Sequence, residues 1–222
     1  AQSRVIDEIV DDLNNPYKMD RLLQGDVGSG KTAVAAATLY ATIKAGYQTA
    51  IMAPTEILAN QHFETFFEFF KDLNISVALL TSSTPKKERN TILSLLEVGE
   101  IELLIGTHSL IQEDVKFNNL KYVITDEQHR FGVLQRQHLL EKSFQNQNPD
   151  FQQISPHFLA MTATPIPRSL QLTIFGDLDI SIINQMPKGR TPIKTRLYNE
   201  LNFKDVIYPE LSAHLAAGEQ VY

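Results

Sequence analysis

A mostly parallel α/β sheet covered by helices on both faces is predicted by three observations. Short apolar, β-branched runs alternate with longer helical patterns; a glycine-rich loop joins the first run to the first long helix; and another run ends abruptly in two adjacent acids.

The chain opens in an amphipathic helical pattern from Gln2 onward. Residues Arg21–Gly25, Thr49–Pro54, Val77–Thr81, Ile101–Thr107, Tyr122–Asp126 and Phe158–Thr162 read as buried strands. Lys31–Ala45, Glu56–Lys71, Pro85–Glu97 and Gly132–Lys142 read as the helices between them. Within Glu56–Lys71, Phe63, Phe66, Phe67 and Phe70 recur at i, i+3, i+4 and i+7, which predicts one helix face packed on the sheet rather than a base-stacking surface. Gln145–Asp150 is polar and aperiodic and reads as an exposed loop. Pro187–Pro192 is dense in Pro and Gly and reads as a linker. The expected organisation is one domain over 1–187, a linker over 188–192, and from 193 to 222 a strand (Ile193–Tyr198) and a helix (Asn202–Ala217) too short for a domain. That strand would be an open edge, prone to pair with a neighbour or fold back. Starting inside one element without an initiator Met, and stopping as a strand begins at Glu219-Gln220-Val221-Tyr222, the chain reads as an excised fragment.

Composition sets outer bounds. Among 222 residues, 43% are hydrophobic and 21% charged, an ordinary globular balance, and no apolar run nears a membrane span or a signal peptide. With no cysteine, disulfides and thiolate metal sites are excluded, as fits a reducing cytoplasm. A net charge of −6 excludes a domain that binds nucleic acid by bulk charge, so any such contact must be local or lie elsewhere in the protein.

Two motifs carry chemistry. Gly25-Asp26-Val27-Gly28-Ser29-Gly30-Lys31-Thr32 follows a predicted strand and precedes a helix, the context a phosphate loop requires. Its glycines let successive N–H groups face one anion, and the helix adds its positive N-terminal end. Gly25, Gly28, Ser29, Gly30, Lys31 and Thr32 are therefore the expected ATP-binding residues. Lys31 would reach the β- and γ-phosphates, with a catalytic share, and Thr32 would ligate Mg²⁺. The second motif, Asp126-Glu127 at the end of a buried run, offers Asp126 as the other Mg²⁺ ligand and Glu127 as the residue that orients and deprotonates water. His129 reads either as a satisfied structural histidine or as a polar relay toward the Thr-rich segment below. Gln128 is assigned no chemistry.

In this order, the two motifs resemble superfamily 2 helicases of the DExH type. Met161-Thr162-Ala163-Thr164-Pro165 is similar to that group's motif III, Ala53–Ala59 to motif Ia, and Ile105–Leu110 to the motif after the fourth strand. Asp126–Val133, Met161–Leu170, Gly189–Thr195 and Gly218–Tyr222 narrow the resemblance to the RecG family of bacterial branched-DNA helicases. The transcription-repair coupling translocases are near relatives but carry Glu-Gln-Arg where this chain has Gln128-His129-Arg130.

The resemblance implies a RecA-like fold, ATP and Mg²⁺ as cofactors, and branched or double-stranded DNA as the partner in a bacterial cytoplasm. It implies that Gln2 belongs to an adenine-reading motif and that Thr162 and Thr164, with His129, couple ATP state to DNA binding. Thr55 and Thr107, otherwise ordinary strand-end caps, would touch the DNA phosphate backbone; Arg168 is a DNA or domain-interface contact or a plain surface arginine. A second motor domain with its arginine finger and a wedge domain would act in cis from outside these residues, leaving the fragment nearly inactive alone. Two other classes stay in view: a metabolic P-loop phosphotransferase, which has no use for Thr162-Ala163-Thr164, and a non-catalytic nucleotide sensor, against which intact Lys31, Thr32, Asp126 and Glu127 argue.

Overall fold

A computed structural model describes residues 1–126, 155–164, 178–184, 195–198 and 203–221. The chain divides into two compact units, Ala1–Pro187 and Lys188–Tyr222, and each is described by itself.

The first unit runs α1 (Gln2–Leu13), β1 (Asp20–Gly25), α2 (Lys31–Lys44), β2 (Gln48–Met52), α3 (Glu56–Phe70), β3 (Val77–Leu80), α4 (Lys86–Glu97), β4 (Leu103–Gly106), β5 (Leu120–Asp126), β6 (His157–Thr162) and β7 (Asp179–Ile183). All seven strands pair in parallel in the order β3-β4-β2-β5-β6-β1-β7. Alternate residues of one strand feed two cores. Leu23, Tyr122, Ile124, Leu159 and Met161 pack with Val5, Ile9, Val34, Leu39, Phe66 and Phe70 of α1, α2 and α3. Leu22, Val123, Phe158 and Ala160 join Ile92 and Leu96 of α4 and Leu110, Val115 and Phe117 of the β4–β5 connection on the opposite face. Burial on both faces is why these strands read as unbroken apolar runs.

Helix α1 is held at one edge by a polar cluster. Arg21 of β1, its side chain 12% exposed, donates from Nε (2.9 Å) and Nη2 (2.7 Å) to Asp12 Oδ2 and from Nη1 to Ser181 Oγ of β7 (2.8 Å). Ser181 in turn donates to Glu8 Oε2 at 2.6 Å. A pair this enclosed is worth more intact than a surface one, because losing one partner strands the other.

Phe66 and Phe70 are buried and Phe63 packs against the core, but Phe67 is 48% exposed. Phe67 lies one position, about 100° around the helix, past Phe66; the inward row is Ala59, Phe66 and Phe70. Strand β7 was not anticipated. Its isoleucines at 180 and 182 face outward while Ser181 is buried on Arg21 and Glu8, the inverse of the expected alternation.

In the second unit, Thr195–Tyr198 forms no strand. Instead, Arg196 and Tyr198 hydrogen-bond to Glu210. The expected helix divides into a π-helical turn (Phe203–Ile207) and α5 (Tyr208–Ala216). Pro209 in the first turn of α5 has no N–H to return to residue 205, which loosens the pitch at that junction. The predicted helix Gly132–Lys142, the loop Gln145–Asp150 and the linker 188–192 lie outside the described residues.

Candidate functional site

Strand β1 ends at Gly25, and the loop to α2 closes on itself. The Ser29 amide donates to the Asp26 carbonyl (3.1 Å) and the Val27 amide to Asp26 Oδ1 (2.7 Å). Gly30 caps α2 at φ +93°, a left-handed conformation that costs an L-residue of any other type. A Cβ there would also lie 1.9 Å from Gln2 Nε2, and one at Gly25 would lie 2.5 Å from Ser29 Oγ, so either addition would push a neighbouring side chain aside. The first turn of α2 carries no acidic residue and no side-chain cap, which keeps its N-terminal field positive. Ser29 Oγ is buried with no hydrogen-bond partner. Lys31 folds back over the loop, donating to the Gly25 (2.7 Å) and Asp26 (3.1 Å) carbonyls. Gln2 of α1 reaches the loop from outside, donating from Nε2 to the Ser29 carbonyl at 2.8 Å.

The acid strand ends on the same side of the sheet. Asp126 is in register with Met161 of β6, and Met161 with Leu23 of β1. Asp126 thus sits on the rung two residues below the phosphate loop and two strands away, roughly 10 Å by ordinary strand spacing. Between them β6 ends at Thr162, paired with Gln24. The Thr162 and Thr164 hydroxyls are 2.9 Å apart, and the Thr164 amide donates to Thr162 Oγ1 (3.2 Å), a tight turn at the centre of this edge.

Thr55 and Thr107 follow β2 and β4 at the same edge. Thr55 caps α3, its hydroxyl accepting from the Leu58 amide at 3.3 Å, so its cap role is real; its side chain is exposed. Thr107 is buried, with its hydroxyl 3.4 Å from Ser109 Oγ. Glu127, Gln128, His129 and Arg168 lie outside the described residues.

One site neighbour was missed by sequence reasoning. His62 Nε2 of α3 lies 2.8 Å from Asp126 Oδ2, with side chains 12% and 15% exposed respectively. The signal available was a histidine four positions before Phe66, on the helical stripe that faces the sheet.

Do these residues suit Mg-ATP? The donors are backbone N–H groups, one ammonium and a hydroxyl, a set matched to phosphate oxygens, and Mg²⁺ draws on only one or two protein ligands beside phosphate and water. The glycine cradle and the orphaned Ser29 hydroxyl fit that group.

Seven parallel strands sandwiched by helices, with a glycine loop between β1 and α2, define a RecA-like P-loop domain. The DEAD/DEAH box helicase family matches residues 1–173, and the chain belongs to that family. It is 51% identical over its full length to the ATP-dependent DNA helicase RecG of Aquifex aeolicus and 52% identical to that of Bacillus subtilis, spanning 27% and 31% of those proteins. The structure of RecG bound to a three-way DNA junction matches 98% of the chain, and 28% of that protein, at 42% identity with TM-score 0.77. The yeast DEAD-box splicing factor Prp28 shares the fold at TM-score 0.59 and 17% identity, over 80% of this chain and 44% of its own. Family membership carries ATP use with it and displaces the phosphotransferase alternative. Among the described residues no helix is long and apolar enough to cross a membrane.

Proposed function

We propose that this chain is the first motor domain of an ATP-dependent DNA helicase that remodels branched DNA such as forks and four-way junctions. The observation that carries the reading is the shared sheet edge of Lys31 and Asp126. The identity with RecG proteins and the likeness to a junction-bound RecG support the choice of DNA substrate.

In this reading residues 1–187 form the motor domain, 188–192 the linker, and 193 onward the start of the second motor domain. That domain and a wedge domain act in cis, in a bacterial cytoplasm. Gly25, Gly28, Ser29 and Gly30 line the phosphates, the Ser29 N–H turning to them from the Asp26 carbonyl, and Lys31 leaves its two carbonyls for the β- and γ-oxygens. Thr32 and Asp126 hold Mg²⁺, which when bound neutralises charge on those oxygens. Glu127 accepts the proton of the attacking water. Gln2 meets the adenine from the same side on which it already grips Ser29. Thr162 and Thr164, with His129, link this edge to DNA held by Thr55, Thr107 and Arg168 through backbone phosphates.

The test is DNA-stimulated ATP hydrolysis by the parent protein carrying Lys31→Ala or Glu127→Gln. Loss of about 100-fold or more in turnover with folding intact is expected, on the scale of general-base and charge-stabilising groups. Wild-type turnover in both variants would exclude this site as the motor's.

A further inference from the structure

Asp126 is not merely the last residue of a strand. Its carboxylate is held from the side by the imidazole of His62, at 2.8 Å, a residue of α3 that lies 64 positions earlier in the sequence. The imidazole itself has little freedom. It packs against Phe66, one turn on along α3, with ring centroids 6.1 Å apart and tilted 41°. Phe66 is fully buried in the core beneath. An ionised carboxylate only accepts, so the tautomer matching this contact carries its proton on Nε2 and donates to Oδ2. A metal-binding carboxylate held by an outer hydrogen bond reaches its ligand pre-aimed, whereas a swinging one must first be ordered.

We propose that His62 is a positioning residue for the metal site: its Nε2–H fixes the Asp126 carboxylate in the orientation that receives Mg²⁺ with nucleotide. The inference rests on the nucleotide-site reading, in which Asp126 holds the metal. His62 touches neither phosphate nor water in this role; it acts through Asp126. Because Thr55 caps α3, the same rigid helix carries a proposed DNA-phosphate contact at its cap and this histidine two turns on. The metal carboxylate is thereby fastened to that helix as well as to its own strand.

A plain structural staple between helix and sheet would show the same distance, so the test must separate the two. Binding of a fluorescent ADP to the 222-residue chain is titrated against Mg²⁺, and thermal unfolding is recorded in parallel. Four proteins are compared: wild type, His62→Leu, His62→Gln and Asp126→Asn. Leu keeps the packing on Phe66 and removes the donor; Gln restores an N–H at similar reach. The expected result is that His62→Leu raises the half-saturating Mg²⁺ about 10-fold, the lower end of what outer hydrogen bonds contribute to metal sites. Metal-free nucleotide binding stays unchanged, and His62→Gln returns to within about 3-fold of wild type on the same scale. A lowered melting temperature in His62→Leu with an unmoved Mg²⁺ midpoint, while Asp126→Asn shifts it, overturns the positioning role alone. An Asp126→Asn midpoint equal to wild type, or no Mg²⁺-dependent binding by wild type, overturns the nucleotide-site reading itself and the inference with it.

Discussion

The Gln2 amide donates to the Ser29 carbonyl at 2.8 Å and lies where a side chain on Gly30 would have to go. The first helix therefore braces the phosphate loop through a contact that a side chain on Gly30 would displace. Gly30→Ala should be destabilised by about 1–2 kcal/mol from the left-handed backbone alone, and further by the displaced Gln2. Combining it with Gln2→Ala should recover the second part and not the first. Urea unfolding of the single and double variants checks this; equal losses in both would mean that the Gln2 clash contributes nothing.

Arg21 ties α1 to β1 and β7 through Asp12 and Ser181. Arg21→Met should cost about 2–3 kcal/mol, because Asp12 loses its partner at a mostly enclosed site. Arg4→Met, removing an exposed pair with Glu8, should stay within about 1 kcal/mol. Denaturant midpoints at constant slope provide the comparison.

His157 gives the fold a pH dependence. Its ring is 1% exposed, and Nδ1 accepts the Met19 amide (3.0 Å), which places the neutral ring's proton on the buried Nε2. Burial, with Lys121 and Lys18 nearby, lowers its pKa from the usual 6.5 to about 4, against a weaker opposing pull from Asp12. Between those values the unfolded chain takes up a proton that the folded chain refuses. Stability from this residue is therefore complete above pH 6.5 and lost as pH falls toward 4, by up to about 1.4 kcal/mol per pH unit. His157→Asn, whose Oδ1 can still accept from Met19, should flatten that slope. Unfolding free energies at pH 7, 6 and 5 test it, and parallel slopes in the two proteins would contradict it.

Much of this was legible in the sequence because the relevant signals are local. Six strands were located within a few residues, since burial on both faces leaves uninterrupted apolar runs such as Tyr122–Ile124 and Phe158–Met161. The glycine loop was legible because its geometry demands its residues. What escaped depends on partners distant in sequence. Strand β7 hides because Ser181 is buried on Arg21, and Phe67 is exposed because α3 turns only one narrow stripe inward. The role of His62 exists only once β5 is placed beside α3.

The phosphate loop should also dictate where nucleotide binds. Lys31→Ala should weaken ADP binding by at least about 10-fold, the scale of losing a charge-assisted contact of 1.5–3 kcal/mol. Lys31 donates to the loop carbonyls of Gly25 and Asp26 at 2.7 and 3.1 Å, so the variant's stability is recorded beside its affinity. Calorimetric titration with a parallel thermal melt decides; a large melt shift with unchanged affinity would make Lys31 a structural residue.

The most direct measurement is a diffraction structure of the chain with Mg²⁺ and a non-hydrolysable ATP analogue. The account predicts the phosphates on the loop, Thr32 Oγ1 at about 2.1 Å from the metal, and Asp126 joined to it directly or through one water. A triphosphate bound elsewhere, or a metal on the loop that Asp126 does not approach, would contradict it.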